Sequence, residues 1–206
     1  DTVFRNVRDK ICPPGRVGAT NRRTVPGERY VFGLDLGKAQ DFTVLIGMEA
    51  RSREMVYFHR CRQLSYSAQK EFIVRAVRDY GARLVMDSTG VGEPIYDDFR
   101  RAGLDVSGYY FTEESKRRLV ENLLIEMEAD RVRLLNEPVL VAELEAFRYV
   151  VNRSGRMSYE GPLGGHDDCV MSLALAVWGL RGARPGAQCV VRPGTNIFGA
   201  GGGRIF

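Results

Sequence analysis

The sequence predicts an α/β domain built on a mixed sheet, in which three antiparallel strands are followed by parallel βαβ units and helices flank the sheet. Three observations lead to this prediction. Residues 30–36, 42–49 and 55–63 are apolar segments separated by gaps that suit hairpins and are too short for a crossover helix. Short buried strands and amphipathic helices then alternate, which is typical of parallel strands. A nearly all-apolar segment beginning near His166 predicts a buried final helix.

The chain after the third strand predicts two helices, each followed by a short strand. The segment SAQKEFIVRAVRDY places a row of apolar and aromatic residues on one side of a helix, namely Phe72, Ile73, Ala76, Val77 and Tyr80. The segment RLVMD is typical of a short buried strand. EPIYDDFRRAG predicts a short helix that Gly103 ends, and LDVSGYYF predicts the next strand.

Two further amphipathic helices and a hairpin precede the final helix. EESKRRLVENLLIEMEAD aligns Leu119, Leu123 and Met127 on one side. NEPVLVAELEAFRYV aligns Leu140, Leu144 and Phe147 in the same way. RYVVNRSGRMSYEG predicts a hairpin that turns around Ser154 and Gly155.

Composition predicts one globular domain over residues 30–180, preceded by a flexible linker or arm over residues 1–29 and followed by a flexible, basic, Gly-rich tail over residues 181–206. With 206 residues, 44% of them apolar, the chain suffices for one core. The two end segments together have a net charge of +8, whereas residues 30–180 have a net charge of −4. The basic pI therefore does not indicate a basic groove in the domain. The most apolar segment is too short to span a membrane.

Cysteine and histidine spacing gives no sign of a zinc site or a disulfide framework. The four cysteines, Cys12, Cys61, Cys169 and Cys189, form no CxxC pair, and the two histidines lie far apart in the chain. We therefore expect a reducing cytoplasmic environment.

Carboxylates end two strands and begin the last helix. Asp35 ends the first predicted strand, Asp87 ends the fourth, and Asp167 and Asp168 begin the final helix. If the first and fourth strands are neighbours, these acids lie at one edge of the sheet. Two such charges 4 Å apart repel by about 4 kcal/mol at an effective dielectric constant near 20. A divalent cation relieves that repulsion, and hard Mg²⁺ prefers carboxylate oxygens and water.

Each acid also has a simpler structural explanation. Asp35 precedes Gly37 and suits a turn, Asp87 precedes STG and suits a cap, and a helix N-terminus favours Asp167 and Asp168 through its dipole. The joint placement of the acids favours the metal hypothesis. Helical periodicity leaves the choice between Asp167 and Asp168 open.

These segments resemble the RNase H-like superfamily and, within it, the nuclease domain of the large terminase subunits that package DNA in tailed bacteriophages. The resemblance rests on GLDLGKAQDFTVLIG, LVMDSTGVG, SKRRLVENL with LVAELEAFRY, and GGHDDCVMSLALA, and it covers about residues 30–180. It implies an RNase H-like fold and a metal-dependent endonuclease that hydrolyses double-stranded DNA by two-metal-ion chemistry with little sequence specificity. Contacts to the DNA backbone transmit no sequence information directly.

The resemblance implies roles for particular residues. Asp35, Asp87 and Asp168 would be catalytic metal ligands, with Asp167 an additional or alternative ligand and Asp41 an occasional one. Candidate DNA contacts are Lys38, Lys116, Arg117 and His166. Solvated lysines, a solvated helical face and a helix-entry histidine remain the alternative explanations for these four.

The cofactor and partners follow from the same resemblance. They are Mg²⁺ or Mn²⁺, with two ions when DNA is bound, together with double-stranded DNA, a terminase ATPase domain, a small terminase subunit and a portal. We expect the cytoplasm of an infected bacterial host, no membrane association, and a monomeric isolated domain. No GxxxxGK[ST] phosphate loop occurs, so either this is an excised nuclease domain, which the FRNVR opening favours, or the relationship is more distant.

Two other functions fit parts of the pattern. An actin-like or sugar-kinase ATPase also begins with a D-x-G strand and has phosphate turns similar to DSTG, but such folds need two similar domains and a later Gly-rich loop. A non-catalytic module that guides DNA or docks on a portal would need none of the acids. Plasmid cleavage that depends on Asp35 would distinguish both from the nuclease.

Overall fold

A five-stranded mixed sheet forms the centre of the molecule. The computed structural model describes residues 2–12, 21–37, 41–89, 92–151, 157–161 and 166–181. The strands are β1 (Tyr30–Asp35), β2 (Thr43–Glu49), β3 (Met55–Cys61), β4 (Arg83–Asp87) and β5 (Val106–Tyr109), in the spatial order β3-β2-β1-β4-β5. β3, β2 and β1 are antiparallel, and β1, β4 and β5 are parallel. The predicted fold class is therefore confirmed.

Five helices cover the two faces of this sheet. They are α1 (Tyr66–Asp79), α2 (Gly92–Arg101), α3 (Glu113–Glu128), α4 (Pro138–Ala146) and α5 (Asp168–Leu180). Alternate strand residues point to opposite faces. Phe32 and Leu34 pack with α1 and α2 in one core, whereas Val31 and Val44 pack with α3, α4 and α5 in the other. The sheet is thus buried on both sides.

The helix stripes expected from the sequence point into these two cores. Ile73, Ala76 and Val77 of α1 are buried. The expected stripes of α3 and α4 are buried too, namely Leu119, Leu123, Met127, Leu140, Leu144 and Phe147. A capping box in which Thr112 and Ser115 exchange hydrogen bonds begins α3. Gly103 has a φ of +79°, a left-handed conformation that suits glycine, and it follows the end of α2 as expected.

A second, two-stranded sheet lies between α4 and α5 in the chain. It pairs Arg148–Val151 (β6) with Met157–Glu160 (β7) in antiparallel fashion, as the sequence predicted. The turn expected at Ser154 and Gly155 lies outside the described residues, as does the tail after Arg181. Within the described chain, no helix combines the length and the apolar character needed to cross a membrane.

The first residues of the chain differ from the linker or arm expected over residues 1–29. Val3, Phe4 and Val7 are buried in the core that contains α4, and Val7–Lys10 form a short 3-10 helix. The backbone N–H of Val3 donates to the carbonyl of Phe147, and the rings of Phe4 and Phe147 lie 5.8 Å apart. Residues 2–12 are therefore part of the domain. Their aperiodic apolar residues gave no sequence signal for this packing.

Candidate metal centre

Asp35 and Asp87 end two neighbouring parallel strands at the same edge of the sheet. Leu34 of β1 pairs with Met86 of β4, and the two aspartates are the next residues in their strands. Neighbouring strands lie about 4.8 Å apart. The two carboxylates therefore begin from adjacent backbone positions, as the sequence analysis expected if these strands were neighbours.

Close packing of α5 on the sheet brings Asp168 to this edge. Gly33 lies directly beneath the helix, where a Cβ atom would overlap the backbone of Ser172 and Ala176. The buried Ser172 hydroxyl is within hydrogen-bonding distance of two strand carbonyls, Gly33 O at 2.9 Å and Val44 O at 3.1 Å. Asp168 is the first residue of the helix so positioned, and Asp167 is its N-cap.

Electrostatic effects link the four aspartates. Burial raises the pKa of Asp35 well above its usual value, and the charges of Asp168, Asp167 and Asp87 raise it further, while Lys116 opposes them. Burial and Asp167 also raise the pKa of Asp168, against the effect of His166. The three chain segments thus place their acids within electrostatic reach of one another.

The carboxylates do not converge on one point. Within the described ranges, no three His, Cys, Asp or Glu side chains lie close enough together to hold a metal ion. Lys116 Nζ lies 3.0 Å from Asp167 Oδ2, and the N–H of Thr89 donates to Asp87 Oδ1 at 2.8 Å. Mutual repulsion opposes closer approach of the acids. The aspartate side chains would have to rotate before they could bind one ion together.

The donor set nevertheless fits a hard divalent cation. Carboxylate oxygens are the ligands that Mg²⁺ prefers. Asp168 Oδ2 is buried and makes no hydrogen bond within the described part of the chain; His166 Nδ1 lies 3.4 Å away. A buried carboxylate oxygen that lacks a partner is costly, and a cation would satisfy it. The side chain of Asp168 is 15% exposed and that of Asp167 is 28% exposed. Asp168 is therefore the better-placed ligand of the pair.

The other residues singled out in the sequence lie at different distances from these acids. Lys116 pairs with Asp167, and His166 stands edge-on to the Phe42 ring with centroids 4.9 Å apart. Asp41 is exposed and contributes to the raised pKa of Asp168. Arg117 faces Glu121 at 3.9 Å on the surface of α3. Lys38 lies outside the described residues.

Sequence reasoning missed a supporting network beneath Asp168. The Arg60 guanidinium stacks 3.3 Å from the centroid of the Phe42 ring and lies 3.5 Å from a carboxylate oxygen of Glu143. The other Glu143 oxygen accepts the N–H of Cys169 at 2.8 Å, next to Asp168. The charge of Arg60 also opposes the burial that raises the pKa of Asp168. The apolar stretch around Glu143 could have drawn attention to it, but its partner is 83 positions away.

We expect the Glu143→Ala variant to be less stable than the native protein by about 1–3 kcal/mol, because it leaves the Cys169 N–H and the Arg60 guanidinium without their acceptor. Glu143 is only 8% exposed, so water cannot readily replace the lost carboxylate. Urea unfolding followed by circular dichroism measures the change.

Glu145→Ala is the matched control for this prediction, because Glu145 lies on the same helix but pairs with a solvent-exposed residue, Arg8. Exposed ion pairs contribute little to the free energy of unfolding. An equal loss of stability in the two variants would contradict the role assigned to the Glu143 network.

Comparison with known proteins places these features in a family. Residues 32–178 match the family model of the terminase RNaseH-like domain. The large terminase subunit of Thermus virus P23-45 is 33% identical over 153 residues, which cover 73% of this chain and 32% of that protein. The chain therefore spans about a third of the length of the curated relatives it matches.

Solved structures give the same assignment. The large terminase nuclease from thermophilic phage G20c with bound magnesium has a TM-score of 0.78 and 30% identity, covering 86% of this chain and 96% of that one. The same nuclease has been solved with cobalt and with zinc, at 29% and 28% identity to this chain. The nuclease domain of the Thermus phage P74-26 large terminase has a TM-score of 0.76 and 29% identity, covering 85% of this chain and 94% of that one. With its RNase H-like sheet and its acids at one edge, this chain belongs to the terminase RNaseH-like domain family.

Proposed function

We propose that this domain is a divalent-metal-dependent endonuclease that cuts double-stranded DNA during phage genome packaging, with little sequence specificity. The observation that supports this most is the placement of Asp35, Asp87 and Asp168, from two strand ends and a helix start, at one edge of the sheet. The solved relatives at 28–30% identity are described as nucleases, and three of them contain magnesium, cobalt or zinc.

Asp35, Asp87 and Asp168 are the residues we assign to metal binding. Asp35 is held by its strand, Asp168 by the packed α5 helix, and Asp87 by the hydrogen bond from Thr89. Asp167 forms an ion pair with Lys116 in this structure, and it would become a metal ligand only if that ion pair opened. Asp41, exposed beside the same edge, is a supplementary ligand.

Two Mg²⁺ or Mn²⁺ ions, when bound with DNA, would activate a water molecule and stabilise the leaving oxygen of a phosphodiester. The protein residues have three tasks around that chemistry. They supply negative charge for binding the ions, they hold the carboxylates on rigid elements, and they orient the scissile phosphate. Burial and, after it, the charges of the neighbouring aspartates raise the pKa of Asp35, and a divalent cation would offset both effects.

Cations beside the acids are positioned to orient the DNA backbone. Lys116 is one-third exposed and already lies at the edge. Arg62, which the sequence analysis did not single out, is exposed and lies 5.2 Å from the Phe42 ring that also contacts His166. We assign Lys116, Arg62 and His166 to phosphate contacts near the cut, with Arg117 and Lys38 further candidates. Contacts of this kind position DNA without reading its sequence.

The two other functions weighed from the sequence are not favoured. Neither an actin-like or sugar-kinase ATPase nor a non-catalytic docking module matches solved relatives that are described as nucleases.

The biological setting is part of the proposal. The curated relatives are large terminase subunits. We propose that the domain acts with a terminase ATPase domain, a small terminase subunit and a portal in the cytoplasm of the infected bacterium, and that the isolated domain is monomeric. Sedimentation velocity of the purified domain tests the last point, and a stable dimer would contradict it.

Cleavage of supercoiled plasmid tests the proposed activity. We expect nicked and linear DNA with Mg²⁺ or Mn²⁺, no cleavage when EDTA removes the metal, and no cleavage by Asp35→Asn in either metal. Asp97→Asn is the matched control, because it removes an exposed carboxylate from α2. Cleavage that persists in EDTA, or in Asp35→Asn, would overturn the proposal.

A further inference from the structure

A recess lined by aromatic residues lies on the same face of the sheet as α5. It is next to the edge strand β5, which α5 leaves uncovered. α5 packs on β1, β2 and β4, and its last turn leaves a cavity of about 290 Å³ against β5. Arg83, Ser107, Tyr109, Trp178 and Arg181 supply its polar and aromatic lining, with Gly179 at its base. Trp178 follows Asp168 by about 15 Å along the helix axis. Tyr109 pairs with Asp87 in the register of β4 and β5, so the recess starts next to that acid and continues away from Asp168 along α5.

Two guanidinium groups flank the recess. Arg83 Nη2 and Nε donate to the Ser107 hydroxyl at 2.6 and 3.1 Å, which holds that guanidinium in place. Arg181 lies over the Trp178 ring, 4.6 Å from its centroid. Among the described residues that line the recess, none is acidic, and neither arginine forms an ion pair within the described chain. Both arginines therefore retain N–H donors for an anion.

The rest of the lining is aromatic. Tyr109 and Trp178 meet edge-to-face with ring centroids 5.2 Å apart, and the Tyr109 hydroxyl donates to the carbonyl of Ser115. The Tyr109 hydroxyl is thus occupied, and its ring and the indole present flat apolar surface. Flat apolar surface beside fixed arginine forks suits a phosphate ester with a sugar or base attached.

We propose that this recess is a second, phosphate-binding site, in which Arg83 and Arg181 bind the phosphate and Trp178 and Tyr109 contact the attached sugar or base. Two sources share this chemistry, a nucleic-acid strand and a free nucleotide. The site does not require the hydrolytic role of the acids, because no metal ligand contributes to it.

Trp178 is the only tryptophan in the chain, so its fluorescence reports on the recess alone. The Asp35→Asn protein is titrated in EDTA, which prevents cleavage, with a short DNA duplex, the corresponding single strand, dAMP and inorganic phosphate. We expect the emission to change with at least one of these probes. Binding of the DNA but not of dAMP would assign the site to a nucleic-acid strand, and comparable binding of dAMP would assign it to a free nucleotide.

Arg83→Gln should weaken binding of the probes about tenfold or more. For duplex DNA, the fall of log K with log salt concentration should also become less steep by about 0.9, the value for one phosphate contact. Arg83→Lys keeps the charge and should retain part of the affinity. Arg75→Gln removes the same charge from an exposed site on α1 and should change neither quantity.

Unchanged Trp178 emission with all four probes would overturn the proposal, as would equal weakening by Arg75→Gln and Arg83→Gln. The proposal of a nuclease activity and the proposal of a phosphate-binding recess are tested by different measurements, so either can be wrong without the other. If the protein did not cleave plasmid in a metal-dependent way, the change in Trp178 emission would still be expected. If Trp178 emission did not change, metal-dependent cleavage would still be expected.

Discussion

We expect the rate of metal-dependent DNA cleavage to fall more than 100-fold in Asp168→Asn and about tenfold in Asp167→Asn. The physical reason is the different position of two adjacent carboxylates. Asp168 is the more buried and has an oxygen without a hydrogen-bond partner in the described chain, whereas Asp167 is paired with Lys116 at 3.0 Å. Loss of a residue that acts through a neighbour typically costs 10–100-fold in metal affinity or activity, and loss of a direct ligand costs more.

Two measurements separate these roles. Isothermal titration with Mn²⁺ should show much weaker binding in Asp168→Asn and a modest change in Asp167→Asn, and plasmid cleavage should follow the same order. Lys116→Gln is the matched control for Asp167 in the Mn²⁺ titration, because it removes the other half of the ion pair without removing a carboxylate. The reverse order of the two aspartate variants would make Asp167 the ligand.

On the condition that β1 and β4 are neighbours, the sequence located the edge on which the acids lie. Apolar segments predicted β1 and β4, the order of elements suggested that they are neighbours, and the ends of parallel neighbours meet at one edge. Asp35 and Asp87 could therefore be placed side by side without coordinates. The joint placement of the acids then suggested that the start of α5 meets them there.

Other parts of the site depend on contacts that no local pattern encodes. Arg60 and Glu143 belong to a strand and a helix far apart in the chain, and each looks unremarkable in its own segment. The choice between Asp167 and Asp168 depends on how deeply the first turn of α5 sits, which periodicity cannot determine for adjacent residues. The burial of Val3 and Phe4 has the same origin, because a short aperiodic segment gains its structure only from the core it covers.

Gly33→Ala should lower the free energy of unfolding by about 3 kcal/mol or more, at the upper end of what overpacking a core usually costs. The added Cβ atom would overlap the backbone of Ser172 and Ala176, and neither can rotate away as a side chain could. The whole of α5 must then move outward. For a domain of this size each kcal/mol corresponds to roughly 2–4 °C in Tm, so thermal unfolding should begin about 6–12 °C lower.

The same displacement should weaken metal binding, because α5 positions Asp168 relative to Asp35 and the Ser172 hydroxyl ties the helix to Gly33. Gly108→Ala is the control: it also adds a methyl group to a strand glycine, but on the edge strand β5, where the neighbour is Ser88 and the position is exposed. We expect a much smaller change in Tm and an unchanged Mn²⁺ affinity for that variant. Equal effects of the two substitutions would mean that close contact between α5 and β1 does not set the position of Asp168.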